Sequence, residues 1–209
     1  MIKTENIPVA VKRRLPRYLR ALGELKAKGM EKISSGNLSD YLGYTASQIR
    51  QDLNHFGGFG QQGYGYNVEA LYKEIEAILG LDQTHPIIIV GCGRLGQAIA
   101  NYVAGYEKSF KLVGLFDKKP ELIGRDILGL TVLSSEEIEP FLETHDVDIA
   151  ALCVDPESAQ SVADQLVEGN VKGILNFVLT DLQLPDTVKL ENVHISEFLE
   201  ILTFDISNS

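Results

Sequence analysis

Gly91, Gly93, Gly96 and Asp117 stand at a spacing that can hold a dinucleotide. The segment Gly91-Cys92-Gly93-Arg94-Leu95-Gly96 reads G-x-G-x-x-G, follows the apolar run 87–90, and leads into a helical pattern over 97–102. In that context Gly91 makes the tight turn and Gly93 lets backbone approach a pyrophosphate. Gly96 lets helix pack on strand, with the pyrophosphate against the helix N-terminus. Asp117 closes the apolar stretch KLVGLFD, 21 residues past Gly96. A carboxylate there accepts hydrogen bonds from a ribose hydroxyl and repels a 2′-phosphate, favouring NAD(H) over NADP(H), while Lys118 and Lys119 pull the other way.

Other reactive side chains do not converge. His55, His85, His145 and His194 fall in four separate segments, and residues 81–209 are filled by one nucleotide domain and a short tail, leaving little chain for a substrate pocket. No catalytic residue is therefore assigned. Cys92 and Cys153 have no CxxC or metal-ligand spacing, so they read as small buried residues of a reduced chain, and no metal site is expected.

A second kind of chemistry comes from charge. The formal net charge of −10 argues against a polyanionic partner, but it is unevenly spread. Residues 1–66 hold ten Lys/Arg against five Asp/Glu, a local balance of +5, so the remainder carries −15. Such asymmetry suggests two units with different partners, the basic one being the nucleic-acid candidate, although a solvated basic helix fits the charge equally well.

The elements that would position these groups can be read in order. Leu15, Tyr18, Leu19, Leu22 and Leu25 recur at helical spacing up to Gly29, and Pro16 either opens this helix or kinks it. Ser35, Leu38, Tyr41 and Leu42 suggest a second helix ending at Gly43, and Thr45 caps a third over 46–54. On that third helix Ala46, Ile49 and Leu53 share one face, while Ser47, Gln51 and Asn54 point away with Arg50 on the flank. Two helices joined by a Gly-containing turn, the second with hydrogen-bonding groups outward, form a helix-turn-helix for a major groove.

The stretch FGGFGQQGYGY over 56–66 packs five glycines among four aromatics and predicts a β-hairpin, the wing of a winged helix. Val68, Leu71, Tyr72, Ile75, Ile78 and Leu79 trace a helix, and 80–86 is a linker. Strands are expected at 87–90, 112–116, 131–133, 149–154, 174–177 and 188–193, with helices over 135–143 and 157–168 between them. That alternation implies an α/β parallel sheet of the Rossmann type. Ile195, Phe198, Leu199 and Leu202 make a last amphipathic helix that covers its own sheet or docks on a partner subunit. The expected domains are 1–80, winged helix; 81–190, dinucleotide-binding; and 191–209, a dimerisation helix. With no apolar run of membrane length and no secretion signal, a cytoplasmic protein is expected. Three functions stay open on these residues: a DNA-binding NAD(H) sensor, a regulator sensing another nucleotide, and a small NAD-dependent oxidoreductase whose N-terminal domain only dimerises.

Taken together, RRLPRYLR (13–20), SQIRQDL (47–53), FGGFGQQGYGYNV (56–68), IVGCGRLGQAIANY (89–102) and GILNF (173–177) resemble the Rex family of redox-sensing transcriptional repressors over nearly the whole chain. The resemblance implies a homodimer that binds palindromic operator DNA when NADH is scarce and leaves it when NADH accumulates. It implies that Arg14, Ser47, Gln48, Arg50 and Gln51 face the operator, with Gly60, Gln61 and Gln62 at the wing. It implies that Gly91, Cys92, Gly93, Arg94, Leu95, Gly96, Asp117, Tyr102, Val154 and Asn176 hold NADH. Arg20 matches a switching arginine, and His194, Ile195 and Phe198 belong to the switch and the swapped dimer helix. The chain departs from the family pattern in three places. Gln51 and the Gln61-Gln62 pair stand where basic residues are common. His194 stands where an Asp alternates between a tyrosine and an arginine; a neutral His could accept from Tyr102 but cannot form a carboxylate pair with Arg20. Ile195 replaces an aromatic.

Overall fold

The computed structural model describes residues 7–56, 60–61, 65–106 and 108–208, and the chain divides into two compact units, 1–83 and 84–209.

In the first unit α1 (Val9–Ala27) buries Val11, Leu15, Tyr18, Leu22 and Leu25, a 4-3-4-3 spacing that keeps one stripe inward. Pro16 lies inside the helix rather than at its start. The helix ends where Gly29 adopts φ +74 and the N–H groups of Gly29 and Met30 return to the carbonyls of Lys26 and Leu25, a Schellman closure. α2 (Ser35–Leu42) is capped by Ser34, and α3 (Ala46–Asn54) by Thr45, whose hydroxyl accepts from Gln48 N–H at 3.2 Å. Gly43, at φ +70, makes the left-handed turn between them. The short strands β1 (Lys32–Ile33), β2 (Gly60–Gln61) and β3 (Gly65–Asn67) form an antiparallel sheet ordered β1-β3-β2. β1 has no periodicity of its own and is recruited by pairing with β3, which is why the sequence does not announce it. α4 (Val68–Ile78), capped by Asn67, completes a core with α1, α2 and α3.

The second unit is a seven-stranded sheet. β4 (His85–Val90), β5 (Phe110–Asp117), β7 (Leu130–Ser134), β8 (Ile149–Leu152), β9 (Gly173–Asn176) and β10 (Lys189–Asn192) pair in parallel, and β6 (Asp126–Ile127) adds an antiparallel edge. The order β10-β9-β8-β4-β5-β7-β6 reverses direction between β4 and β8. Ligands of doubly wound sheets sit at that reversal, outside the carboxyl ends of the strands. Ile88 and Val90 pack on one side with α6 (Ile138–Thr144) and α7 (Pro156–Glu168), while Ile89 packs on the other with Ala100 of α5 (Arg94–Ala104). Burial on both faces explains why 87–90 is an unbroken apolar run.

α8 (Ile195–Ser207) buries none of its residues. Ile195, Phe198, Leu199, Ile201, Leu202, Phe204 and Ile206 are each more than half exposed.

Candidate functional site

The glycine loop lies at the sheet's reversal point, between the end of β4 and the start of α5. Gly91 has φ +96, donates its N–H to Phe116 O at 2.7 Å, and a Cβ there would strike the Cys153 carbonyl. A Cβ on Gly96 would collide with the Gly91 carbonyl oxygen, so the helix can approach the turn only without one. Gly93 differs: a Cβ would meet nothing within 4 Å, so open space lies over it. Gly93 is also the N-cap of α5 and offers no side chain to the first turn, whose N–H groups therefore point at that space. An anion fits there on both steric and dipolar grounds.

Asp117, at the carboxyl end of β5, is buried, and backbone N–H groups fix both its oxygens: Cys92 to Oδ2 at 2.6 Å and Lys119 to Oδ1 at 2.8 Å. Each oxygen retains lone-pair capacity, so the carboxylate is aimed before any ribose hydroxyl arrives. Gly91, Gly93, Asp117 and Val154 line one cleft of about 560 Å³. Lys118, Asp155 and Ser158 share its wall; the sequence pattern gives Lys118 only as a charge beside Asp117 and does not single out the other two. The signal for Asp155 was its position after β8 and one residue before Pro156, where it caps α7 by accepting from Ser158 N–H at 3.1 Å.

Other expected cofactor residues are not among those lining the cleft. Cys92 points into the core below the loop, where burial and the neighbouring Asp117 charge push its thiol up to about 11; its contribution is the amide that holds Asp117. Burial likewise pushes the Cys153 thiol up to about 12. Arg94 and Leu95 open α5 and are exposed, and Tyr102 lies exposed further along it, its ring 5.0 Å from that of Tyr106. Asn176 does not face the cleft. It is fully buried, its amide donates to Val178 O, Thr180 O and Asn192 Oδ1, and its oxygen accepts from Val178 N–H. Its polar atoms are spent shaping the turn after β9.

His194 is the N-cap residue of α8. It is buried at the entry to α8, with Nδ1 2.9 Å from Glu197 Oε1 and Nε2 3.0 Å from the Val178 carbonyl. Both partners present oxygens, so the protonated ring, with a hydrogen on each nitrogen, is the form that satisfies both contacts. Glu197 above all, with the Val178 carbonyl and the Asp181 charge, raises its pKa above the usual histidine value against the effect of burial.

On α3, Ser47, Arg50 and Gln51 are exposed together and Gln48 is half-buried. Arg50 donates from Nη1 to Ser35 Oγ at 2.9 Å, which ties the outward guanidinium to α2. Arg14 does not extend outward: its Nε and Nη2 donate to the two Asp52 oxygens at 2.7 and 2.8 Å, and Tyr18 donates its hydroxyl to the same carboxylate at 2.7 Å. Burial alone would push the Asp52 carboxyl up; the Arg14 and Tyr18 bonds more than offset this and hold it below the usual range. Asp52 sits beside Ile49 on the inward face of α3, and a carboxylate on an apolar stripe signals a buried partner that helix periodicity alone overlooks. Arg17 makes a parallel tie, donating to Tyr44 Oη at 2.7 Å and to Leu42 O at 3.2 Å. Gly60 and Gln61 form β2, paired to β3; Gln62 lies outside the described residues. Arg20 is exposed on α1.

A winged helix-turn-helix unit joined to a doubly wound unit with a dinucleotide cleft defines a DNA-binding regulator with a nucleotide-sensing domain. Residues 6–54 match the family described as "Putative DNA-binding protein N-terminus", and residues 82–180 match the CoA binding domain family. Redox-sensing transcriptional repressor Rex of Clostridioides difficile is 51% identical over 205 residues, 98% of this chain and 97% of its own. That of Caldicellulosiruptor saccharolyticus is 49% identical over 207 residues, 99% and 94% of the two chains. Among solved structures, RSP in complex with beta-NAD+ and operator DNA is 50% identical with a TM-score of 0.93, covering 97% of this chain and 94% of its own. RSP in complex with beta-NADH is 46% identical with a TM-score of 0.88, covering 97% and 95%. The chain belongs to the family of redox-sensing transcriptional repressors named Rex.

Proposed function

We infer that this chain is a repressor that binds operator DNA through α3 and the β2–β3 wing and releases it when NADH fills the cleft at the β4–β8 reversal. The observation that carries the reading is the pairing of two prepared surfaces in one chain: an outward Ser47-Arg50-Gln51 face, and the Gly93 opening beside a fixed Asp117 carboxylate. RSP, solved with beta-NAD+ and operator DNA and also with beta-NADH, supports both halves. NADH supplies the redox signal. The chain's own residues bind and orient it: the α5 N-terminus takes the pyrophosphate and Asp117 takes the adenosine ribose.

The chain works as a homodimer without a catalytic step. α8 supports the dimer, because seven large apolar side chains on thirteen residues are covered only by another surface. The relatives, named as transcriptional repressors, support a regulatory role without catalysis. No helix among the described residues is long and apolar enough to cross a membrane, and action on operator DNA fits the cytoplasm. Because cofactor and operator are linked, each weakens the other's binding by the same factor.

The test is Asp117→Ala. Losing a carboxylate that accepts a ribose hydroxyl should raise the NADH concentration needed to release operator by about tenfold, the equivalent of about 1.4 kcal/mol. Release at the wild-type NADH concentration would overturn the assignment of this cleft.

A further inference from the structure

Lys118 and Lys119 both follow Asp117 on the cleft wall, and a basic residue near that carboxylate is what accommodates the 2′-phosphate of NADP(H); Lys118 is the one whose ammonium is tied to the opposite wall. Its position alone therefore argues for mixed cofactor use. Its contacts argue otherwise. Lys118 Nζ lies 2.6 Å from Asp155 Oδ2 and donates to Ser158 Oγ at 3.0 Å. Asp155 divides its carboxylate: Oδ1 caps α7 by accepting from the Ser158 amide and hydroxyl at 3.1 and 2.9 Å, while Oδ2 takes the lysine.

We propose that Asp155 is a specificity-determining residue: by holding Lys118 against α7 it withdraws one of the two lysines that follow Asp117 on the cleft wall from a 2′-phosphate, and so favours NADH over NADPH. The inference rests on the reading that this cleft holds NADH. Two consequences follow from the geometry. A 2′-phosphate could recruit Lys118 only by breaking the Asp155 contact, which leaves a carboxylate unpaired on the same wall. The cap also keeps the carboxylate in place, since Asp155 cannot swing away without surrendering the first turn of α7. The lysine in turn holds the Asp155 carboxyl down at about 2, so the pair stays ionised across the range in which operator binding is measured.

Asp155→Asn tests this cleanly, because an asparagine still caps the helix but carries no charge for the lysine. Dissociation constants of NADH and NADPH are measured by calorimetry for the full-length wild type, Asp155→Asn, and Asp155→Asn combined with Lys118→Met. The ratio of the NADPH to the NADH constant should fall about fivefold in Asp155→Asn, the size expected for gaining one exposed ionic contact. It should return to the wild-type ratio when Lys118 is also removed. An unchanged ratio in Asp155→Asn, or a gain that persists without Lys118, overturns the proposal. Failure of the wild type to bind NADH overturns the underlying cleft assignment instead.

Discussion

At the scale of single residues, the informative groups are polar side chains whose partners come from distant sequence. Asp52 ties the recognition helix to α1 through Arg14 and Tyr18, across 38 and 34 residues. Asp52→Ala leaves Arg14 and the buried Tyr18 hydroxyl without their acceptor, and should cost about 2 kcal/mol of unfolding free energy, below the figure for a fully buried pair because Arg14 is partly solvated. Since the folded-state pKa of Asp52 is depressed, this stabilisation is present above the ordinary carboxylate range and is lost as pH falls through the depressed value. Denaturant melts of the wild type and variant at neutral and acid pH check both statements. His194 has the opposite sign. Its raised pKa means that the contribution of the Glu197 and Val178 contacts is complete below about 6.5 and fades as pH rises through the raised value. An NMR titration of the His194 ring should give a midpoint above 6.5, and one below it would contradict the stabilising contact with Glu197.

At the scale of elements, periodic and capped segments were legible and recruited ones were not. α3 falls on the bounds its Thr45 cap and apolar spacing suggest, and the glycine loop sits between strand and helix as its pattern requires. β1 and β6 are two residues each and exist through pairing, β1 with β3 and β6 with β7, so nothing local marks them. Within the site the same division holds. Gly91, Gly96 and Asp117 are dictated by backbone geometry and by the end of a strand, which sequence spacing encodes. Asn176 carries a polar type at a strand end, but its burial depends on the turn after β9, which brings Val178 and Thr180 around it, and on the pairing with β10, which brings Asn192. Arg14 reads as one more cation in a basic run until α3 presents Asp52. α8 shows the limit from another side: its apolar face is plain in the sequence, and within the chain that face stays exposed. A chain ending at Asn192, without α8, should run as a monomer in sedimentation and bind a palindromic operator with the weaker affinity of a single half-site; a dimer surviving the truncation would contradict the role given to α8.

At the scale of the whole molecule, a net charge of −10 conceals a basic unit and an acidic one, with +5 over residues 1–66 and −15 over the rest. The acidic part disfavours contact with the duplex and leaves recognition to the basic part, so operator affinity falls with added salt. The same division separates the labours of the two units: one reads DNA, the other reads the nicotinamide cofactor, and the link between them is a free energy shared by two ligands. The most direct test is a titration of a labelled palindromic operator complex with NADH and with NAD+ at one fixed salt concentration. NADH should release the operator at concentrations where NAD+ leaves it bound; release by equal doses of the two forms would contradict redox sensing by this protein.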